Sequence, residues 1–114
     1  MLPPDLLADL PDNLSRRALD DLLGILRGSA QEWGITTARR SRNRLVRRCR
    51  EIGTGTAIGH SRPDVRPQVP TLFVVEAPWV IAYHPTTREI YRIVHGARDF
   101  PALFSSGRPT AGRG

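Results

Sequence analysis

The chain has 114 residues, of which 39% are hydrophobic, and this fits one compact domain with a modest core and leaves no room for a second domain. Its formal net charge is +6 and all seventeen basic residues are arginines. This excess favours an acidic partner, either nucleic acid or an acidic protein segment, although a GC-rich genome explains an arginine bias equally well. No apolar run approaches the roughly 20 residues needed to span a bilayer, so we expect a cytoplasmic protein without a membrane anchor.

The N-terminal segment has no regular pattern. Residues 1–13 mix four leucines with three prolines and three aspartates. Pro11 and the lack of β-branched alternation make this segment a poor strand. We predict that residues 1–14 form a loose arm, a short helix after Pro4, or a degenerate edge strand.

The next segment predicts an amphipathic helix. From Ser15 to Trp33, apolar residues recur at steps of three and four. Ser15 is the predicted N-cap, because its hydroxyl can accept a free N–H of the first turn. Gly34 is the predicted end of the helix, in a left-handed conformation that glycine adopts easily.

A second helix is predicted directly after Gly34, with Thr36 or Thr37 as its cap. Its apolar stripe runs over residues 35–52 and includes Cys49, which we expect to be a buried and inert thiol. Arginines occupy most of the remaining circumference. The two helices are expected to form an antiparallel hairpin.

The C-terminal half predicts a small antiparallel sheet. Residues 53–70 are rich in glycine and proline and predict a long loop. The segments 71–77, 80–84 and 89–95 are rich in β-branched and aromatic residues, and the short connections between them predict a meander. The predicted fold class is therefore α+β, with the N-terminal antiparallel helical hairpin packed on a small antiparallel β-sheet.

The stretch 89–104 carries a family resemblance. It reads Glu-Ile-Tyr-Arg-Ile-Val-His-Gly-Ala-Arg-Asp-Phe-Pro-Ala-Leu-Phe. This resembles the C-terminal signature of RelE/ParE toxins of bacterial type II toxin-antitoxin systems, and it is most similar to the ParE branch. The resemblance implies a single toxin domain over residues 15–104 that ends in a short C-terminal helix, and we expect residues 105–114 to be a disordered tail. The chain departs from the family at its start, where a β-strand is usual.

The resemblance also implies a function. A ParE-like toxin inhibits DNA gyrase and blocks replication, which links it to plasmid stabilisation and growth inhibition. It is neutralised by a cognate acidic antitoxin in a hetero-oligomer. We predict that Arg92, His95 and Arg98 form a basic patch at the sheet edge that binds the target.

The same superfamily suggests a second function, ribosome-dependent cleavage of messenger RNA. Such an endoribonuclease needs cations to stabilise the scissile phosphate and a group that moves the proton of the 2′-hydroxyl. The candidate residues are Arg62, Tyr91, Arg92 and His95. Some members of the superfamily that cleave RNA have a lysine-rich site, and others carry a catalytic histidine or tyrosine close behind the last strand. This chain resembles neither type, so the resemblance implies a gyrase inhibitor without catalytic activity.

The arginine-rich second helix allows three interpretations. Arg40, Arg44, Arg47 and Arg48 are the predicted binding site for an acidic antitoxin segment, through charge-assisted hydrogen bonds. A simple solvated face is the second interpretation. The third is a DNA-binding regulator of the helix-turn-helix type, whose binding would depend on salt.

Other types of site have little support. His60, His84 and His95 are too dispersed for a zinc site, and no cofactor is predicted. Trp33 and Trp79 are expected to be core or interface anchors.

Overall fold

The structure is a computed structural model that describes residues 2–62 and 68–100. It contains a short 3-10 helix, Pro4–Leu7, the helices α1 (Arg16–Trp33) and α2 (Ile35–Thr54), and the strands β1 (Leu72–Glu76), β2 (Trp79–Tyr83) and β3 (Ile90–His95). Two helices packed on a three-stranded antiparallel sheet confirm the predicted α+β fold. The predicted tail, 105–114, and most of the predicted terminal helix lie outside the described residues. Within the described part, no helix is long and apolar enough to cross a membrane.

The helical hairpin begins and turns close to the predicted positions. The Ser15 hydroxyl accepts the Ala18 N–H at 3.0 Å, which confirms the predicted N-cap. Gly34 ends α1 with φ +96° and ψ 167°, a backbone conformation that is open almost only to glycine. The prediction that Thr36 or Thr37 caps α2 was wrong, since Gly34 itself is the N-cap and both threonines lie inside the helix. The chain turns on one residue, so α2 begins earlier than the threonines suggest.

The sheet has the order β1-β2-β3 and buries both faces. Val74, Ile81 and Ile93 lie side by side across the three strands and belong to the core that packs against the helices. Cys49 of α2 joins this core with 1% exposure, and burial raises the pKa of its thiol to about 12, as expected for an inert cysteine. Trp33 does not belong to the core, because 68% of its surface is exposed.

The opposite face of the sheet has its own apolar cluster, formed by Phe73, Val80, Ala82, Val94 and Phe100. The rings of Phe73 and Phe100 meet edge to face, with centroids 5.3 Å apart. Phe100 therefore closes this face directly after the turn that follows β3.

The N-terminal arm, residues 2–14, runs parallel to α2 and is held by its arginines. Asp5 forms an ion pair with Arg39 at 2.7 Å, Arg42 donates to the carbonyl of Leu6 at 3.2 Å, and Arg50 donates to the carbonyl of Asp9. Leu6 is fully buried against the helices. The arm thus contributes to the core and neutralises part of the arginine-rich surface.

The arm reaches the sheet at its end. The Ile90 N–H donates to the Asn13 carbonyl at 2.8 Å, and the Ser15 N–H donates to the Ile90 carbonyl at 3.0 Å. These two bonds form a single parallel bridge between Leu14 and Ile90, the first residue of β3. The N-terminal segment therefore pairs with the sheet over one residue before α1 begins.

Candidate functional site

A groove of about 900 Å³ lies between α1, the first turns of α2 and the end of β3. One wall is the face of α1 from Asp20 to Trp33. The other wall contains all three predicted target-binding residues, Arg92, His95 and Arg98. The structure therefore brings these three residues to one surface, although their environments differ.

Arg92 is fixed by an ion pair across the groove floor. Its Nε and Nη2 donate to the two carboxylate oxygens of Asp21 at 2.8 and 3.1 Å. Asp21 also accepts the Ile93 N–H at 2.9 Å, a backbone group that an edge strand leaves free. The side chains of Arg92 and Asp21 are only 21% and 13% exposed. The charge of Arg92 is thus already matched within the fold, and its main role here is to fasten β3 to α1.

His95 is held at the end of β3 by the turn that follows. Its Nδ1 accepts the Arg98 N–H at 3.1 Å, so the neutral ring carries its proton on Nε2. Its carbonyl accepts the Asp99 N–H at 2.8 Å. The imidazole meets the Trp79 ring edge to face, with centroids 5.7 Å apart. The ring is therefore oriented by the backbone turn on one side and by an aromatic wall on the other.

Arg98 offers the most accessible positive charge of this wall. Its side chain is 74% exposed, and its guanidinium is 3.7 Å from the carboxylate of Asp99, which is a loose ion pair. Such an arginine keeps most of its donors available for a phosphate or carboxylate of a partner.

The four ribonuclease candidates do not meet in this groove. Arg62 stacks over the ring of Phe100, 4.3 Å from its centroid, beside the face of the sheet opposite the helices. The Tyr91 hydroxyl donates to the Pro70 carbonyl at 3.2 Å. Burial and the nearby charge of Glu89 raise the pKa of Tyr91. Among the described residues that line the groove, neither Arg62 nor Tyr91 occurs.

The four predicted antitoxin-binding arginines of α2 divide into two pairs. Arg44 and Arg48 form ion pairs with Glu76 of β1 at 2.9 and 3.0 Å. Burial alone would raise the pKa of Glu76, but the hydrogen bonds from these two arginines outweigh it and lower the pKa. Arg40 and Arg47 are exposed and make no hydrogen bond or ion pair with the described part of the chain. Only this second pair is available to a partner without breaking internal contacts.

The sequence reasoning missed two features of the surface. The first is the set of arginines that hold the N-terminal arm. The second is the acidic wall of the groove, which contains Asp20 near the start of α1 and Glu32 near its end. The four-residue spacing of Asp20, Gly24, Gly28 and Glu32 was a signal for the second feature. In residues 2–62 and 68–100 there is no group of His, Cys, Asp or Glu side chains that could hold a metal ion.

Residues 13–100 match the family model described as the ParE toxin of the type II toxin-antitoxin system parDE. The fold is similar to a solved structure described as the chromosomal ParDE TA system from P. aeruginosa, with a TM-score of 0.52 and 22% sequence identity. That match covers 72% of this chain and 90% of the other chain, and at this identity it shows the fold alone. No curated protein sequence matches the chain.

Proposed function

This chain belongs to the ParE family of type II toxin-antitoxin toxins, and on that premise we propose that it inhibits DNA gyrase and is neutralised by a cognate antitoxin. The family match spans residues 13–100, which include both α-helices and all three strands. The observation that carries the proposal is the groove wall on which His95 is oriented and Arg98 stays exposed. In this proposal the protein acts in the cytoplasm, where it blocks replication and so inhibits growth.

The proposed mechanism is binding without catalysis. Arg98 presents a planar cation that suits a phosphate or carboxylate of a gyrase–DNA complex, and His95 adds the Nε2–H donor beside it. Arg92 supports this surface indirectly, since its pair with Asp21 holds β3 against α1. The toxin would bind gyrase when the DNA is cleaved and would slow its religation.

Several contacts support binding over messenger cleavage. A ribonuclease site needs a free cation at the phosphate and a proton acceptor close to it. Arg92 is neutralised by Asp21, the Tyr91 hydroxyl donates to a backbone carbonyl, and Arg62 stacks on an aromatic ring in another part of the surface. These residues would have to rearrange before they could act on one phosphate.

The antitoxin is proposed to use a second surface as well. Arg40 and Arg47 are exposed and form no ion pair with the described residues, so they are free to bind an acidic segment. Arg44 and Arg48 would contribute little to this contact, because Glu76 already occupies them.

A gyrase reaction tests the proposal directly. Purified protein is added to gyrase, ATP and supercoiled plasmid, and linear DNA is scored after detergent and protease treatment. We expect linear DNA to accumulate with the unchanged protein and to fall by roughly tenfold with Arg98→Glu, since reversal of one exposed contact charge commonly costs a partner about 1.4 kcal/mol or more. Arg27→Glu is the matched control, because Arg27 is exposed on α1 outside the groove.

Three outcomes would contradict parts of the proposal. Unchanged plasmid in the presence of folded protein would exclude gyrase poisoning. Equal loss of activity in both variants would remove Arg98 from the binding surface. Cleavage of messenger RNA on translating ribosomes, measured in a parallel reaction, would favour the ribonuclease instead.

A further inference from the structure

One face of α2 is exposed from its second residue to its last. The exposed side chains on this face recur at steps of four and three residues, so they form a single stripe along the helix. They are Thr36, Arg40, Asn43, Arg47, Arg50 and Thr54. We call this stripe the arginine ridge. Each of its side chains can donate a hydrogen bond, and none is acidic or apolar.

The other arginines of α2 lie beside the ridge and are held by internal contacts. Arg39 pairs with the N-terminal arm, whereas Arg44 and Arg48 pair with β1. Together the seven arginines of the helix form ion pairs with three carboxylates of the described residues, those of Asp5, Glu51 and Glu76. Seven cations against three anions leave four positive charges on this helix unmatched, so the surface of α2 is strongly cationic.

Three of the arginines with unmatched charge stand on the ridge itself. Arg40 and Arg47 make no hydrogen bond or ion pair with the part of the chain that the structure describes. Arg50 donates to the carbonyl of Asp9, a neutral acceptor that does not cancel its charge. At the usual helical rise, Arg47 lies about 10.5 Å and Arg50 about 15 Å along the axis from Arg40. The ridge is thus a row of three cations on a regular helix.

The N-terminal arm shows what an acidic protein segment uses to bind α2. Besides the ion pair between Asp5 and Arg39, the arm places Leu6 in the core, where it is fully buried. A flexible segment loses conformational entropy when it binds, and burial of apolar side chains is the main term that offsets this loss. The ridge offers no apolar contact of this kind. Duplex DNA is already ordered and carries one negative charge per about 1.7 Å of its axis, so charge contacts alone are enough to bind it.

We propose that the arginine ridge binds the phosphate backbone of duplex DNA without reading its sequence. The planar guanidinium group of arginine fits a phosphate, and threonine and asparagine side chains donate to phosphate oxygens. The major groove of B-form DNA is about 12 Å wide and admits an α-helix between two rows of phosphates, whereas the major groove of duplex RNA is too narrow. DNA would compete for Arg40 and Arg47 with the acidic antitoxin segment proposed above. The contact adds DNA to the proposed interaction with gyrase, but it does not depend on gyrase.

Fluorescence anisotropy tests the proposal with the full chain and a labelled DNA duplex of 20 base pairs. We expect a Kd between about 1 and 100 µM near physiological salt, with equal affinity for two unrelated sequences. Each neutralised phosphate contributes about −0.9 to the slope of the logarithm of the association constant against the logarithm of the salt concentration. Contacts from three arginines therefore predict a slope of about −2 to −3 between 50 and 200 mM salt. An RNA duplex of the same sequence should bind more weakly.

A matched pair of variants locates the contact. The double variant Arg40→Gln with Arg47→Gln should reduce the magnitude of the salt slope by about 2, because two phosphate contacts are lost. The control, Arg16→Gln with Arg27→Gln, removes the same charge from exposed positions on α1 and should keep the slope of the unchanged protein. Circular dichroism confirms that each variant is folded.

A competition experiment separates DNA from an acidic protein segment. Unlabelled polyglutamate of about 40 residues matches the total charge of the duplex but is flexible, so we expect it to displace the labelled DNA at least roughly tenfold less well than unlabelled duplex does. Equal displacement by polyglutamate would overturn the proposal and assign the ridge to an acidic segment.

Other results would overturn the proposal as well. They are no binding of DNA by the folded protein at 50 mM salt, equal salt slopes for the ridge variant and the unchanged protein, and tighter binding of the RNA duplex. A preference of more than tenfold for one DNA sequence would mean that bases, and not phosphates, are recognised. None of these reactions contains gyrase or antitoxin, so the DNA contact and the gyrase target succeed or fail separately.

Discussion

Arg92→Gln tests whether Arg92 fastens the sheet to α1. The substitution removes two charge-assisted hydrogen bonds to Asp21, of 2.8 and 3.1 Å, from a pair whose side chains are 21% and 13% exposed. Hydrogen bonds to charged groups contribute about 1.5–3 kcal/mol each when well shielded, and partial exposure reduces this value. Asp21 retains its bond from the Ile93 N–H. We therefore expect the free energy of unfolding to fall by about 2 kcal/mol, which lowers Tm by roughly 8 °C in a domain of this size.

The assay is urea unfolding followed by far-UV circular dichroism, with linear extrapolation to water. Asp21→Asn should cost more, about 3 kcal/mol, because it leaves the guanidinium of Arg92 without a counter-charge and weakens the bond from Ile93. The double variant should cost less than the sum of the two single variants by about 1–2 kcal/mol. Arg98→Gln is the control and should cost less than about 0.5 kcal/mol, since Arg98 is largely exposed.

Additive losses in this double-mutant cycle would refute the proposed role of Arg92, because strictly additive effects mean that Arg92 and Asp21 do not interact in solution. A loss for Arg92→Gln no larger than that for Arg98→Gln would refute it as well. In either case the candidate groove would have a mobile floor, and Arg92 would again be available for a partner.

Three further predictions concern packing and titration. Gly59→Ala puts a methyl group 2.9 Å from the carbonyl oxygen of Phe73 and should lower the free energy of unfolding by about 1–3 kcal/mol. Gly28→Ala meets open space on a helix and should raise the free energy of unfolding by up to about 1 kcal/mol. Shifts of Tm in the same direction for the two variants would contradict this. Burial raises the pKa of Cys49 to about 12, so the unfolded chain loses the thiol proton first, and stability should fall by up to about 1.4 kcal/mol per pH unit above pH 9. When the free energy of unfolding is measured at several pH values, Cys49→Ala should lack this decrease above pH 9. Arg44 and Arg48 lower the pKa of Glu76, although burial alone would raise it. The ionised carboxylate therefore stabilises the fold fully above its ordinary pKa of 4.5, and this contribution to the free energy of unfolding is lost as pH falls through the lowered pKa. Glu76→Gln should therefore be less stable at neutral pH and less sensitive to acid, and an unchanged acid transition would exclude this role.

The sequence predicted those parts of the fold that depend on neighbouring residues. Ser15 reaches an N–H only three residues away, and Gly34 turns the chain by its own backbone conformation, so local patterns were enough. The predicted threonine caps of α2 were wrong because the glycine turn and the threonines both mark a helix start. The turn at Gly34 begins α2 at Ile35, before either threonine. Trp33 was expected at a core or an interface, and its exposure excludes the core.

The candidate site was predictable to the extent that its residues are close in sequence. Arg92, His95 and Arg98 share one groove wall because they lie on β3 and the turn after it. The partner of Arg92 could not be predicted, since Asp21 lies 71 residues earlier in the chain. The same holds for Glu76, whose contact with Arg44 depends on how α2 crosses the sheet.

The contacts of β3 also determine when the protein can fold during its synthesis. Asn13, Ser15 and Asp21 all bond to residues of the last strand, so the first helix has no complete partner until that strand has been made. At roughly 5–20 residues per second, the ribosome needs about 4 to 14 s to add the 71 residues between Asp21 and Arg92. During that interval the nascent chain exposes the apolar face of its helices and lacks an assembled groove wall. The groove wall that carries Arg92, His95 and Arg98 therefore assembles only after β3 has been synthesised and has paired with the N-terminal part of the chain.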